Sequence, residues 1–328
     1  MRFEFLPRSA HLPAVAAEVL LGGIGFASCG GPVPGLLEVS APALEEDGPV
    51  LCMLRGEGGA RQGRSGRVCH RSGDGFVFGR VDIAEEEFGA DTPTRLVEAT
   101  RQAYLAIFDC LRDLGCSHLA RVWNYLPRIN LVEFGEERYR RFNAGRQLAF
   151  EQRGRALEGA VPAACALGTD GTRIEIAFLA CRDAFVPIEN PRQTSAYRYP
   201  IEYGERSPTF SRAALLRCRS GDVLMVSGTA AIVGHRSLHV GDVLAQTREA
   251  MANIAAVLGR AGELMGRPGM GLSALEFTVY LRHRTDLAPV RRLLQDEFGL
   301  GQGLMFVEAD ICRSELLVEI EAYGGGGR

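Results

Sequence analysis

The chain has 328 residues, of which 46% are hydrophobic and 23% charged, and this composition is typical of a folded globular protein. All 37 basic residues are arginines, because the sequence contains no lysine. This excludes a Schiff-base lysine, a pyridoxal-phosphate anchor and a Walker-type phosphate loop, since each needs an ammonium group. Guanidinium groups bind carboxylates through paired hydrogen bonds, so the composition favours a small anion as the partner.

The net charge of −3 argues against a nucleic-acid-binding surface. Nine cysteines are scattered from Cys29 to Cys312 without a CxxC pair, which predicts reduced thiols in the cytoplasm and neither a disulfide framework nor a zinc site. His235 and His239 have helical spacing, but a glycine precedes the first and a Val-Gly-Asp sequence follows the second. We therefore predict no metal site.

Residues 12–27 are mostly apolar, and Phe26-Ala27-Ser28-Cys29 loosely resembles the lipid-attachment box of a secreted bacterial lipoprotein. Glu18 interrupts the apolar stretch, and Glu4 lies where a leader would be basic, so a first strand and a loop are favoured instead. No other segment approaches about 18 uninterrupted apolar residues, and we predict no membrane span.

In chain order, the segment 55–75 is rich in Gly and Arg and is predicted as a long loop between early strands, either a surface excursion or a lid. A strand at 75–83 precedes a helix that begins near Asp91-Thr92-Pro93 and stops at Gly115. Residues 119–126 are then predicted as the next strand.

The second half repeats this plan, with a strand, a helix and a strand at 222–232, 242–262 and 274–281. When residues 100–103 are set on 247–250, the apolar positions and the terminal glycines of the two helices coincide. This coincidence indicates an internal duplication.

A helix that begins near Asp286 and strands at 304–312 and 315–323 complete the predicted elements. The predicted fold class is α+β, with two similar units in which helices cover one face of a mixed sheet. We divide the chain into an N-terminal domain of residues 1–150 and a C-terminal catalytic domain of residues 151–328. A site is expected where the two units meet.

Polar side chains share one face of the predicted helix 135–152. Tyr139, Asn143 and Arg146 have i, i+4 and i+7 spacing, so a phenol, an amide and a guanidinium point the same way. The sequence leaves open whether this face is a solvated surface or part of a site.

A second polar stretch, residues 187–200, contains prolines that exclude a helix and carries Tyr197 and Arg198. It is interpreted as a fixed binding loop. Arg212 follows a Ser-Pro turn and supplies a further guanidinium.

The last predicted strand supplies a candidate acid. Alternation puts Glu315, Glu319 and Glu321 on one face and apolar side chains on the other. On a wet outer face these carboxylates would have ordinary pKa values. If the face lines the junction between units, burial would raise the pKa of Glu319, which could then hold a proton near neutrality. Cys312 lies seven residues earlier on the neighbouring predicted strand, where packing and chemical roles both stay open.

Several segments occur in order along the chain, and together they are more specific than any one of them alone. The segments are Arg121 to Pro127 with Ile129-Asn130, Arg138 to Arg146, Glu189 to Pro200, Ser227 to Ala230, Gly234-His235 and Gly241-Asp242. Together they resemble the chorismatase family of bacterial secondary metabolism. The second half is also similar to the reactive-intermediate deaminase fold, on which chorismatases are built. The resemblance thus implies two YjgF/chorismate-mutase-like units, of which the N-terminal one is degenerate.

The resemblance implies an enzyme that cleaves chorismate, a dicarboxylate, and releases its enolpyruvyl group as pyruvate without a cofactor. It implies that Glu319 is the acid that protonates the methylene carbon of the enol ether. It further implies a set of substrate-binding residues, consisting of the clamps Arg146, Arg198 and Arg212 with Tyr139, Tyr197, Gly228 and Thr229. A monomer or a small homo-oligomer is expected.

The family divides by product. In one branch water attacks and a cyclohexadiene diol forms; in the other the ring hydroxyl displaces the side chain and 3-hydroxybenzoate forms. The second branch carries a cysteine where Cys312 stands, seven residues before the glutamate, so the resemblance favours 3-hydroxybenzoate with some 4-hydroxybenzoate. A neutral thiol is also a poor host for water.

The sequence leaves three alternative functions open. One is the diol-forming reaction. Another is an imine deaminase of the same fold, although such enzymes have an arginine where this chain has Leu304. The third is a non-catalytic module that binds an anion with the same arginines.

Overall fold

The structure is a computed structural model that describes residues 1–7, 20–26, 36–45, 48–56, 58–266 and 270–325. Within these ranges the α-helices are Arg95–Asp113 (α1), Arg138–Gln152 (α2), Val243–Met265 (α3) and Leu287–Phe298 (α4). No helix in the described ranges is long and apolar enough to cross a membrane. Residues 27–29 of the lipoprotein-like motif lie outside the described residues.

The described N-terminal residues form a sheet with the strand order β1–β4–β2–β3. Its strands are Arg2–Pro7 (β1), Leu20–Phe26 (β2), Leu36–Val39 (β3) and Pro49–Arg55 (β4). The strand predicted between residues 12 and 27 is thus β2. Every residue of β2 is buried, so this sheet is a covered layer of the protein.

The first of two similar units contains α1, α2 and the strands Arg61–Ser65 (β5), Val68–Gly73 (β6), Phe76–Ala84 (β7), His118–Pro127 (β8), Val132–Glu133 (β9), Glu136–Glu137 (β10), Ala163–Thr169 (β11) and Arg173–Cys181 (β12). Its main sheet includes the order β11–β8–β12–β7–β6–β5. β11 and β8 are parallel, and the other neighbours are antiparallel.

The second unit contains α3, α4 and the strands Val186–Ile188 (β13), Ala213–Cys218 (β14), Gly221–Thr229 (β15), Ile232–Val233 (β16), Arg236–Ser237 (β17), Leu275–Leu281 (β18), Leu304–Glu308 (β19), Asp310–Ile311 (β20) and Val318–Gly325 (β21). Its sheet has the order β19–β18–β21–β15–β14–β13, again with one parallel pair, β18 and β19. The two sheets have the same order and directions, so the predicted duplicated α+β fold is confirmed.

The sequence-based boundary at residue 150 falls near the end of α2. The two strands that follow it, β11 and β12, pair with β8 and β7 of the first sheet. The strands of the first repeat therefore end at Cys181, and those of the second repeat begin at Val186.

Helices cover the outer face of each large sheet, and the inner faces contribute to a central core. One cluster of buried side chains joins the first sheet to α1 and α2, and a second joins the other sheet to α3 and α4. A third cluster contains inner-face residues of both large sheets and side chains of the N-terminal sheet. Because three sheets share this core, the inner sheet face of each repeat is covered only by the other repeat and by the N-terminal sheet.

The helices form where the apolar spacing predicts them. Leu96, Ala103, Ile107 and Leu111 are buried along α1. The carboxylate of Asp242 accepts a hydrogen bond from the amide of Ala245 at 2.9 Å and caps the N-terminus of α3.

The predicted end of α3 at Gly262 is wrong. The helix continues to Met265, and Gly266 ends it in the left-handed conformation that favours glycine. Gly262 is buried inside the helix.

The prediction of a long loop at 55–75 is also wrong, because β5 and β6 form an antiparallel hairpin there. Ser65 pairs with Val68 across a two-residue turn in which Gly66 has a positive φ of 55°. β5 lies at the edge of its sheet and is polar and largely exposed. A strand without a buried face has no alternating apolar pattern, which is why the sequence did not indicate it.

The predicted strand 304–312 is divided between the two sheets. β19 pairs with β18 of the second unit, whereas β20 pairs with β11 of the first. Cys312 follows β20, so it does not lie on a strand beside β21 as expected. The crossing between sheets carries Cys312 to the junction of the two units.

Candidate functional site

A cavity of about 470 Å³ lies where the two repeats meet. The junction is fixed at β11 and β15, where the hydroxyl of Ser227 accepts from the amide of Ala164 at 2.9 Å and donates to the carbonyl of Ser211 at 2.6 Å. The first repeat contributes α2, β10 and β11 to the cavity wall, and the second contributes β15, β21 and the segment 312–315. Pockets of this size accommodate small molecules.

Glu319 reaches the cavity because β21 alternates its side chains. Val318 and Ile320 pack in the core beneath α3 and α4, so Glu319 and Glu321 point to the opposite face. Glu319 lines the cavity with only 3% of its surface exposed.

Burial and the neighbouring charge of Glu321 together raise the pKa of Glu319 to about 8, although Arg121 and Arg212 act in the opposite direction. Oε1 of Glu319 has no hydrogen-bond partner among the described residues. The side chain is therefore a carboxylic acid near neutral pH, and one of its oxygens is buried without a described partner.

Gly228 makes room for this carboxyl group. A Cβ atom added to Gly228 would overlap Oε1 of Glu319 and would lie 2.6 Å from Cδ of the same residue and 3.1 Å from Cβ of Cys165. Any larger residue at this position of β15 would displace the carboxyl group.

Arginines Arg146, Arg212 and Arg313 line the cavity, and none of them forms an ion pair with a described residue. Nη2 of Arg146 donates to Oδ1 of Asn143 at 2.9 Å, and Nη2 of Arg212 donates to the carbonyl of Thr194 at 2.7 Å. Nε of Arg146, Nε of Arg212 and Nη2 of Arg313 are buried without a described partner. Buried donors of this kind are costly unless a ligand accepts from them, so the cavity is built for an anion.

Aromatic rings hold two of these guanidinium groups. The guanidinium of Arg313 lies 4.1 Å from the centre of the Tyr203 ring, and that of Arg212 lies 5.2 Å from the centre of the Phe210 ring. The hydroxyl of Tyr199 also accepts from Arg212 at 2.9 Å. These contacts keep the arginines oriented while donors remain free.

Tyr139 and Cys312 line the same cavity. Burial raises the pKa of the Tyr139 phenol and of the Cys312 thiol well above neutrality. Both groups are thus neutral, and Tyr139 can donate a hydrogen bond to a ligand.

The structure does not bring every predicted site residue to this cavity. Tyr197, Arg198 and Thr229 do not line it. The side chain of Arg198 is 68% exposed and pairs with Glu158 at 3.0 Å. The hydroxyl of Thr229 donates to the carbonyl of Ser227 at 2.7 Å, which is a contact within its own strand.

Sequence reasoning did not select Arg313, Tyr199 or Tyr203 as site residues, although all three line the cavity. Arg313 directly follows Cys312, so its position next to a predicted site residue was the available signal. The two tyrosines lie in and just after the proline-rich loop that the sequence did single out. Tyr199 lies two positions after the predicted Tyr197, and Tyr203 lies six positions after it.

No group of three or more His, Cys, Asp or Glu side chains in the described part of the chain has an arrangement that could hold a metal ion.

Comparison with known proteins identifies the family. Residues 53–180, which span the first repeat, match the family model described as chorismatase FkbO/Hyg5-like, N-terminal. A 3-hydroxybenzoate synthase of Streptomyces hygroscopicus is 42% identical over 244 residues, which cover 71% of each chain. A chorismatase of Streptomyces rapamycinicus is 41% identical over 236 residues, which cover 69% of this chain and 70% of the relative.

A crystal structure of a chorismatase superposes with a TM-score of 0.86 at 32% identity and covers 99% of this chain and 97% of its own. The similarity therefore extends over both repeats and the N-terminal sheet. The chain belongs to the chorismatase family, as the order of its sequence segments predicted.

Proposed function

We propose that this protein cleaves chorismate, releases the enolpyruvyl group as pyruvate and forms mainly 3-hydroxybenzoate, with 4-hydroxybenzoate as a minor product. One observation carries this proposal. The carboxylic acid of Glu319, one oxygen of which has no described partner, lines a cavity together with three arginines that have buried donors without a described partner.

Chorismate carries two carboxylates, which match the free donors of Arg146, Arg212 and Arg313. Each charge-assisted hydrogen bond would contribute about 1.5–3 kcal/mol. The greater benefit is orientation, because the flexible enolpyruvyl arm must present its methylene carbon to Glu319. The neutral phenol of Tyr139 supplies a further donor.

In the proposed reaction the proton of Glu319 forms a new C–H bond at the methylene carbon, and the enol ether becomes an oxocarbenium ion. The carboxylate left on Glu319 stabilises this positive centre electrostatically. A buried acid with a raised pKa suits the step, because it is protonated at neutral pH and still able to donate.

The second step decides the product. The ring hydroxyl at C4 gives up its proton and attacks C3 of the ring, the C3–O bond to the activated side chain breaks, and pyruvate leaves with that oxygen. The resulting epoxide opens at C4, and the ring loses the hydrogen of C3 as a proton and becomes aromatic with its oxygen at C3, whereas opening at C3 gives 4-hydroxybenzoate. Pyruvate and 3-hydroxybenzoate together contain all the atoms of chorismate, so no water is consumed and no external oxidant is needed. The neutral thiol of Cys312 disfavours a bound water at this point, and the relative named 3-hydroxybenzoate synthase supports this branch.

The test is incubation of the purified protein with chorismate, without added metal or cofactor, followed by pyruvate assay and chromatography of the organic acids. We expect kcat/KM to be constant below pH 8 and to fall about tenfold per pH unit above it, because only protonated Glu319 is active. No pyruvate release by the wild-type protein would refute the proposal.

The variant Glu319→Gln keeps the shape of the side chain and removes its proton. We expect pyruvate formation to fall by about 10²- to 10⁴-fold. The matched control is Glu276→Gln, which changes a partly buried glutamate of β18 outside the cavity and should retain activity. Equal activity of the two variants would show that Glu319 is not the acid.

A further inference from the structure

Behind Glu319 lies a buried ion pair that takes no direct part in the proposed reaction. Nη2 of Arg121 on β8 donates to Oε1 of Glu321 on β21 at 2.5 Å, and both side chains are fully buried. The hydroxyl of Tyr323 donates to Oε2 of the same carboxylate, and the hydroxyl of Tyr280 lies 3.4 Å from it. Both oxygens of Glu321 thus have donors, and one of these donors is a guanidinium group.

Three sheets enclose this pair. Nε1 of Trp123 on β8 donates to the hydroxyl of Tyr323 at 2.9 Å, and the guanidinium of Arg121 lies 5.0 Å from the Trp123 ring. Phe3 of the N-terminal sheet stacks on Tyr323 with ring centres 4.6 Å apart. The two charges are therefore far from solvent. Electrostatic interactions are strong in such a buried environment.

Glu319 and Glu321 share one face of β21 but have different surroundings. Glu321 has donors on both oxygens, whereas Oε1 of Glu319 has none among the described residues. Two neighbouring buried carboxyl groups resist ionising together, so the proton stays on the one with fewer donors. The charged and titratable groups that interact with Glu319 from the elements packed around it are Glu321, Arg121, Arg212, Cys165, Cys312 and Tyr139.

We propose that Arg121 and Glu321 are positioning residues that confine the transferable proton to Glu319. Arg121 and Tyr323 fix the negative charge on Glu321, and this fixed charge keeps Glu319 as the neutral acid. The inference rests on the proposed function, because it assigns the proton donor of the same site.

The pair also acts after the proton has left. Once the methylene carbon has taken the proton, the Glu319 carboxylate lies beside the fixed charge of Glu321 and is a stronger base than an isolated carboxylate. This favours uptake of the proton that the ring releases on becoming aromatic. One proton leaves Glu319 and one returns, so the acid is restored without a net change.

The kinetic test compares Glu321→Gln with the double variant Arg121→Met/Glu321→Gln. In the single variant the unopposed Arg121 stabilises the Glu319 carboxylate, so we expect the alkaline fall of kcat/KM to begin at least one pH unit lower than in wild type. In the double variant the cation is gone as well, and the fall should move back towards the wild-type pH. A purely structural role would instead lower activity equally at every pH, with the double variant no better, and this outcome would overturn the proposal.

A second measurement depends neither on chorismate nor on the folding of the Glu321 variants. Infrared spectroscopy of the wild-type protein should show a buried protonated carboxyl group that titrates above neutral pH, and the absorption should be absent from Glu319→Gln. Glu175, whose pKa burial raises to about 7, can contribute a similar absorption, so the readout is the difference between wild type and Glu319→Gln. If the substitution removes no part of the absorption, Glu319 does not hold the proton and the proposal fails. Because this readout needs no turnover, it separates failure of the inference from failure of the proposed function.

Discussion

At the scale of single residues, the candidate site depends on how a glutamate side chain packs against a glycine on the adjacent strand. β15 and β21 pair with an irregular register between Val226 and Thr229, and Gly228 lies within that irregularity. The missing side chain of Gly228 leaves the space that the Glu319 carboxyl group occupies. A small residue at this position is therefore required by packing, and the proposed function gives it a catalytic reason as well.

We predict that Gly228→Ala lowers kcat/KM by about a hundredfold, because displacement of an acid by about 1 Å is enough for such a loss. The measurement is pyruvate release at saturating and limiting chorismate. The matched control is Gly259→Ala on α3, where an added Cβ meets no atom within 4 Å and the helix gains about 0.5–1 kcal/mol of stability. Equal activity in both variants would show that the space above Gly228 is not needed.

Cys312 allows a separate prediction about the product. Replacement by Ala removes the thiol and leaves room for water near the oxocarbenium centre, so we expect Cys312→Ala to form less 3-hydroxybenzoate and more diol, with pyruvate release largely retained. Chromatography of the organic acids measures the ratio. Cys181→Ala, which changes a buried cysteine outside the cavity, is the control and should give the wild-type ratio. An unchanged ratio in Cys312→Ala would exclude control by the thiol.

At the scale of elements, α3 fixes the turn that leads into β21. Oε1 of Gln246 accepts from the amide of Leu317 at 2.7 Å, and its Nε2 donates to the carbonyl of Glu315 at 3.0 Å. Gln246 is fully buried, so these contacts replace hydrogen bonds that water cannot provide. The turn carries Arg313 at one end and leads to Glu319 at the other.

We predict that Gln246→Ala lowers the free energy of unfolding by about 2–3 kcal/mol, because three partly buried backbone groups, the amide of Leu317 and the carbonyls of Glu315 and His239, lose their partner. The amide of Leu317 should also exchange faster with solvent in native-state hydrogen exchange, while amides in the middle of α1 keep their protection. Unchanged exchange at Leu317 would contradict the role of Gln246 in fixing the turn.

At the scale of the whole molecule, the central core joins the two repeats to the N-terminal sheet. Trp123, the only tryptophan in the sequence, lies in this core, and its indole donates to Tyr323 of the other repeat. Each repeat alone would leave its inner sheet face uncovered. We therefore expect the repeats to unfold together.

The prediction is a single cooperative transition in denaturant, with tryptophan fluorescence and far-ultraviolet circular dichroism giving the same midpoint. Fluorescence reports the junction at Trp123, and dichroism reports the secondary structure of the whole chain. Separate midpoints would mean that the repeats fold as independent units and that the central core is not shared.

Much of this architecture was predictable from sequence because it is recorded in local patterns. The apolar spacing of α1 and α3 and the alternation of β21 each involve residues within a few positions of one another, and the duplication follows from comparing the two helices. The segments that indicate the family could also be recognised from the sequence alone. Glu319, Arg146, Arg212, Tyr139, Cys312 and Gly228 were all singled out, and the structure brings them to one cavity.

What the sequence could not determine depends on contacts between distant residues. The choice between Arg198 and Arg313 as a cavity arginine is decided by how two loops pack, and the crossing of β19 and β20 between sheets is decided by strands far away in the chain. Arg121 and Glu321 are 200 positions apart, and no local pattern records that they meet. Local periodicity reports which side of an element is buried, whereas only the packed tertiary structure determines which buried groups face one another.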